Sequence, residues 1–190
     1  MREEAAMTVV DERAHRILDH MEVPEGYNVE LINGEIILSP SGKPLHWEIQ
    51  LELIQQFGIH REWRIGAEQT VIHPNFADEP RPDFFAMPAS VPVEPDGVFP
   101  ADRIEFIVEV LSRNNRGTDL VDKVEVYARF GIGLYLIIDP FKGQCVSHRS
   151  PKAEGYAESS MTDFGGPVEL PEPFGFAIDT SRFGRYPAKH

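Results

Sequence analysis

The chain has 190 residues, 42% hydrophobic and 26% charged, a length and balance that suit one domain over 1–190 and exclude disordered, collagen-like and disulfide-scaffold classes. Its 18 Lys and Arg against 31 Asp and Glu give a formal charge of −13, which repels a polyanion unless the binding face differs locally. The single Cys145 excludes an internal disulfide, no run approaches the ~20 apolar residues of a membrane span, and the opening MREEAAMTVVDERAH lacks the order of a signal peptide, so a cytoplasmic protein without a membrane partner is expected.

In chain order, Val10 to Met21 reads as a short docking helix that stops at Pro24-Glu25-Gly26. Tyr27–Leu31 and Glu35–Leu38 are β-rich runs joined through Asn33-Gly34, the strongest short hairpin signal. Leu45, Ile49, Leu53 and Phe57 then recur at helical spacing, with His46 on the same side and Gly58 at the end. Trp63 to His73 and Phe84 to Met87 look like strands of one sheet, and the prolines between Pro88 and Pro100 predict a surface loop. Ile104–Leu111, IEFIVEVL, is apolar at nearly every position, as a central strand covered on both faces must be. Thr118 to Phe130 predicts an amphipathic helix with Leu120, Val124 and Tyr127 on one side and Gly131 as its stop. Leu134–Asp139 completes a strand-helix-strand crossover, so part of the sheet must be parallel. Short strands are expected near Gln144–His148 and Gly155–Ser159, whereas the last forty residues carry little pattern.

Glu109 is the anomaly in this pattern. Strand alternation places it beside Ile107 and Leu111, where an ionised carboxylate costs several kcal/mol unless a cation or firm hydrogen bonds compensate. Asp83, after Pro82 and before a short apolar strand, is a second candidate, although a lone Asp there also suits a strand end. Stepping 100° per residue around the 118–130 helix puts Lys123 between Tyr127 and Phe130, its stem among apolar groups. Such a lysine can simply snorkel to solvent. His46 on its apolar helix side is equally consistent with a hydrogen-bonded core histidine, and the remaining histidines show no zinc spacing.

Taken together and in order, Pro82-Asp83, VEVLS at 108–112, Asp119, Lys123, Tyr127, Gly131 and LYLIIDP at 134–140 resemble the Uma2 (DUF820) family of candidate restriction endonucleases, itself similar to the PD-(D/E)XK nuclease superfamily. The resemblance takes in the VELINGEII hairpin and the His46 helix and covers roughly residues 10–180. It implies an α/β, restriction-endonuclease-like fold: a mixed central β-sheet flanked by helices, with an N-terminal β-hairpin. By the same resemblance Asp83 matches the Asp of the PD motif and Glu109 the acid of the second half-motif. Standard members carry Lys two residues after that acid, where this chain has Leu111, so Lys123 on the next helix is the candidate replacement.

The implied activity is a Mg²⁺-dependent endonuclease acting on DNA, with Asp83, Glu109 and the carbonyl of Val110 as hard oxygen ligands and Lys123 at the reacting phosphate. Glu35 and His46 are possible accessory groups. Ser112, Arg113 and Arg116, at the C-terminal end of the strand, are placed to meet backbone phosphates or else are solvated loop residues. An acidic monomer holds DNA poorly, so a homodimer is expected. The competing readings are a catalytically inactive nuclease-fold protein that binds nucleic acid or protein, favoured by Leu111, and a phosphohydrolase of small substrates, favoured by the charge.

Overall fold

A computed structural model describes residues 9–93, 98–112 and 118–187, with the backbone alone at 9–11, 118 and 119. The chain opens with helix α1 (Val9–Leu18) and a hairpin of β1 (Tyr27–Ile32) and β2 (Glu35–Pro40), in which Tyr27 pairs with Pro40 and Ile32 with Glu35. Asn33 and Gly34 both have positive φ, 49° and 78°, the backbone that a two-residue type I′ turn demands and the reason Asn-Gly is written there. Helix α2 (Pro44–Phe57) follows, with proline in its first turn and His46, Ile49, Gln50, Leu53 and Phe57 buried.

Beyond it lie β3 (Trp63–Gly66), β4 (Val71–Ile72), β5 (Phe84–Pro88), β6 (Phe99–Pro100) and β7 (Phe106–Val110). The run from Trp63 to His73 is therefore two strands in two different sheets. The chain turns at Glu68, whose φ of 52° is left-handed, so β3 pairs with β5 while β4 pairs with β6, a short strand within the proline-rich stretch.

The crossover consists of a π-helical turn (Thr118–Asp122), helix α3 (Lys123–Arg129) and β8 (Leu134–Asp139), closed at Gly131 with φ 79°. The wider winding at the start of this segment changes the phase of the predicted helix. Leu120 is consequently exposed, and the buried face is made by Lys123, Val126, Tyr127 and Phe130. Strands β9 (Gln144–Lys152) and β10 (Gly155–Asp163) form a longer hairpin than expected, and β11 (Pro167–Glu169) with β12 (Ala177–Asp179) give structure to the C-terminal segment.

The main sheet has the order β10-β9-β8-β7-β5-β3, with β7 and β8 parallel and the other neighbours antiparallel. One face packs Phe84, Phe106, Val108, Val110 and Leu136 against Ile49, Leu53 and Phe57 of α2 and against Val168, Phe174 and Ile178. The other packs Phe85, Ile107, Leu111, Tyr135 and Ile137 against Val126, Tyr127 and Phe130 of α3 and Ile32 of the hairpin. Strand β7 is thus apolar on both sides because both sides are covered, and Glu109 is left as the buried charge within it. No helix among the described residues is long and apolar enough to cross a membrane.

Candidate active site

The site forms where β7 ends. Phe84 pairs with Val108 and Phe85 with Ile107, so Asp83, just before β5, comes to the end of β7 that carries Glu109 and Val110. The Asp83 carboxylate is held at both oxygens: Oδ2 accepts the Val110 N–H at 2.6 Å and Oδ1 lies 2.9 Å from His46 Nε2. One helical turn beyond His46, Gln50 donates from Nε2 to the Asp83 carbonyl at 2.9 Å and reaches Glu68 Oε1 at 3.4 Å. His46 and Gln50 lie four residues apart on one helix face, so α2 braces both the backbone and the side chain of Asp83.

Glu109 is compensated from α3. Its Oε1 accepts the Lys123 ammonium at 2.9 Å and the Tyr127 hydroxyl at 2.6 Å, again residues one turn apart. Lys123 Nζ also lies 2.8 Å from Glu30 Oε1, which in turn accepts the Arg81 backbone N–H at 2.7 Å. Lys123, Glu109 and Glu30 are 2%, 2% and 4% exposed, and charges that far from water persist only as a compensated group. Burial above all, and then the adjacent Glu109 charge, raise the Tyr127 phenol well above its ordinary pKa, so it remains a donor.

Asp83, Glu109, Lys123 and Glu30 line one cavity of about 310 Å³ with His46, Glu68, Arg81, Val110, Ser112, Lys43 and Tyr186. Its carboxylates (Glu30, Glu68, Asp83, Glu109) outnumber its Lys and Arg side chains (Lys43, Arg81, Lys123) by four to three. Among the described residues, no three His, Cys, Asp or Glu side chains converge on a ready-made metal cage.

Of the residues singled out in the sequence, Asp83, Glu109, Lys123, His46, Val110 and Ser112 meet here. Val110, named for its carbonyl, also supplies its N–H to Asp83. Glu35 does not join them: it is exposed beside the hairpin turn, and Glu30 on the partner strand enters instead. Arg113 and Arg116 lie outside the described residues. Sequence reasoning missed Glu30, Gln50, Glu68 and Arg81. Gln50 carried a signal, as a second polar residue four after His46 on an otherwise apolar face, and Arg81 stands two residues before Asp83.

A mixed sheet flanked by helices, entered through an N-terminal hairpin, is the fold of a nuclease-like α/β protein. The crystal structure of a putative nuclease belonging to DUF820 from Anabaena variabilis ATCC 29413 has the same fold, with a TM-score of 0.69 and 20% identity over 90% of this chain and 96% of that one. A family model described as "Putative restriction endonuclease" matches residues 15–181, and the chain belongs to that family, Uma2. No curated protein matches the chain.

Proposed function

We propose that the protein is a Mg²⁺-dependent endonuclease that hydrolyses phosphodiester bonds of DNA at the Asp83–Glu109 end of β7. The observation that supports this reading is that Asp83, its carboxylate held by the Val110 N–H and His46, and Glu109 line one cavity at the end of β7. The donor set fits the ion. Mg²⁺ is held by one or two carboxylates, keeps several waters and needs no all-protein cage. The two hydrogen bonds on Asp83 use half of a carboxylate's roughly four acceptor sites. Asp83, Glu109 and the Val110 carbonyl would hold it, and when bound it would lower the pKa of water and neutralise charge on the phosphate.

The chain's own groups do the rest. Water adds to phosphorus as the bond to the leaving sugar oxygen breaks, and that oxygen takes up a proton. Lys123, ion-paired to Glu30 and Glu109, sets a fixed positive charge against the negative charge that builds on the phosphoryl oxygens, with no reorganisation needed during reaction. His46 and the Val110 N–H keep the Asp83 carboxylate from rotating, and Tyr127 does the same for Glu109.

The second reading, a nuclease fold that binds without cutting, is favoured by Leu111, which is fully buried where other nucleases carry lysine. Incubating the protein with DNA and Mg²⁺ separates the two. Cleavage that is lost with EDTA and in both Asp83→Asn and Glu109→Gln supports the enzyme. DNA retention with no cleavage at any Mg²⁺ concentration supports the binding protein.

A further inference from the structure

We propose that the cavity admits an unpaired nucleic-acid strand, not an intact duplex, and that Arg81 holds the phosphate of the nucleotide that enters. The chemistry assigned to that nucleotide rests on the nuclease reading above; its occupancy of the cavity does not.

Depth is the first argument. Glu109, Lys123 and Glu30 are almost wholly buried, whereas Ser41, Gly42 and Lys43 on the cavity's edge are exposed. A phosphate must therefore travel inward past the β2–α2 connection before it meets the carboxylates. The phosphates of a duplex ride on the outside of a stiff rod, whereas an unpaired strand can bend so that its backbone follows a narrow groove inward. Size agrees: about 310 Å³ is at the lower end of small-molecule pockets, which suits one nucleotide and not two paired strands.

Arg81 is the second. Its side chain lines the cavity and is partly exposed, yet its Nε is buried with no hydrogen-bond partner among the described residues. That Nε is closed off from the cavity, but a guanidinium fork matches phosphate oxygens in pairs, and the rest of Arg81 lines the cavity. Charge is the third. Among the described residues that line the cavity, the Lys and Arg side chains beside the ion-paired Lys123 are Lys43 and Arg81 against four carboxylates, enough for a few phosphates of one strand but not for the two rows of a duplex.

The test compares a short labelled single strand, the blunt duplex of the same sequence, and a duplex with an unpaired tail, measuring binding in EDTA by anisotropy and cleavage in Mg²⁺ on gels. The expected result is binding and cleavage of unpaired DNA at least ~10-fold better than of blunt duplex, with cuts in the tail. Arg81→Ala, checked for folding by circular dichroism, should weaken single-strand binding by about 10-fold or more, the scale of a charge-assisted hydrogen bond. Blunt duplex bound and cut as well as the single strand overturns the inference and leaves the nuclease reading standing. Single-strand binding with no cleavage of any substrate keeps the inference and removes the nuclease reading. Binding of neither form overturns both, and an unchanged affinity in folded Arg81→Ala removes Arg81.

Discussion

Lys123 holds together two carboxylates that would otherwise repel each other in a dry site, and that sets what its replacement does. Lys123→Met keeps the apolar stem but strands Glu30 and Glu109, so it should destabilise the fold by about 3–5 kcal/mol in urea titrations as well as cut the metal-dependent rate by at least ~100-fold. Adding Glu30→Gln should recover part of the stability and none of the rate. A Lys123→Met protein as stable as the parent contradicts the buried triad. Tyr127→Phe removes one of two donors to Glu109 and should cost about 1–3 kcal/mol, read from the same titrations. Glu109 stood out in the sequence because a carboxylate interrupts an apolar strand, and Lys123 because the helical wheel turned it inward. Glu30 gave no comparable sign, since its burial comes from the docking of a whole hairpin and not from its neighbours in the chain. Cys145, on β9 with its side chain in the core, has its thiol pKa pushed by burial up to about 12, so thiol reagents should label it only on unfolding.

At the scale of elements, the hairpin and α3 reach the site together because a network far from it ties them. Asp78 accepts the Asn33 N–H at 2.6 Å through Oδ1 and Arg129 Nη2 at 2.7 Å through Oδ2, while Leu31 and Glu79 exchange backbone hydrogen bonds. Glu30 sits three residues before Asn33 and Lys123 six before Arg129, so this clamp sets their separation. Asp78→Ala should lower stability by about 1–3 kcal/mol and reduce activity further than that loss of folded protein explains, as kcat at a temperature where the variant is fully folded will show. The hairpin was legible because Asn-Gly dictates its turn, and β7 and β8 because unbroken apolar runs dictate burial. The π-helical start of the α3 segment and the split between β3 and β4 were not, since each depends on backbone angles, at 118–122 and at Glu68, that residue types alone leave open.

For the whole molecule, pH and association follow from burial and charge. His148, half-buried with its ring stacked on Tyr135, and His73, packed against Phe76 and Phe130, both have pKa values lowered below 6.5, chiefly by burial. Folding therefore favours their neutral forms: the stability is fully present above pH 6.5 and is lost as pH falls through the depressed folded values. Tm should drop between pH 7 and 5, and less steeply in His148→Asn; a flat profile contradicts this. With a formal charge of −13 an isolated chain attracts DNA weakly, so we expect a homodimer in sedimentation equilibrium, and a strict monomer that cuts blunt duplex contradicts it. The proposed chemistry requires that Asp83 and Glu109 share one ion. The most direct measurement is a crystal structure with Mn²⁺ in place of Mg²⁺, the ion located by its anomalous scattering. One ion within about 2.1–2.2 Å of oxygens from both carboxylates is the expected result; an ion bound elsewhere, or none at saturating Mn²⁺, contradicts the shared site.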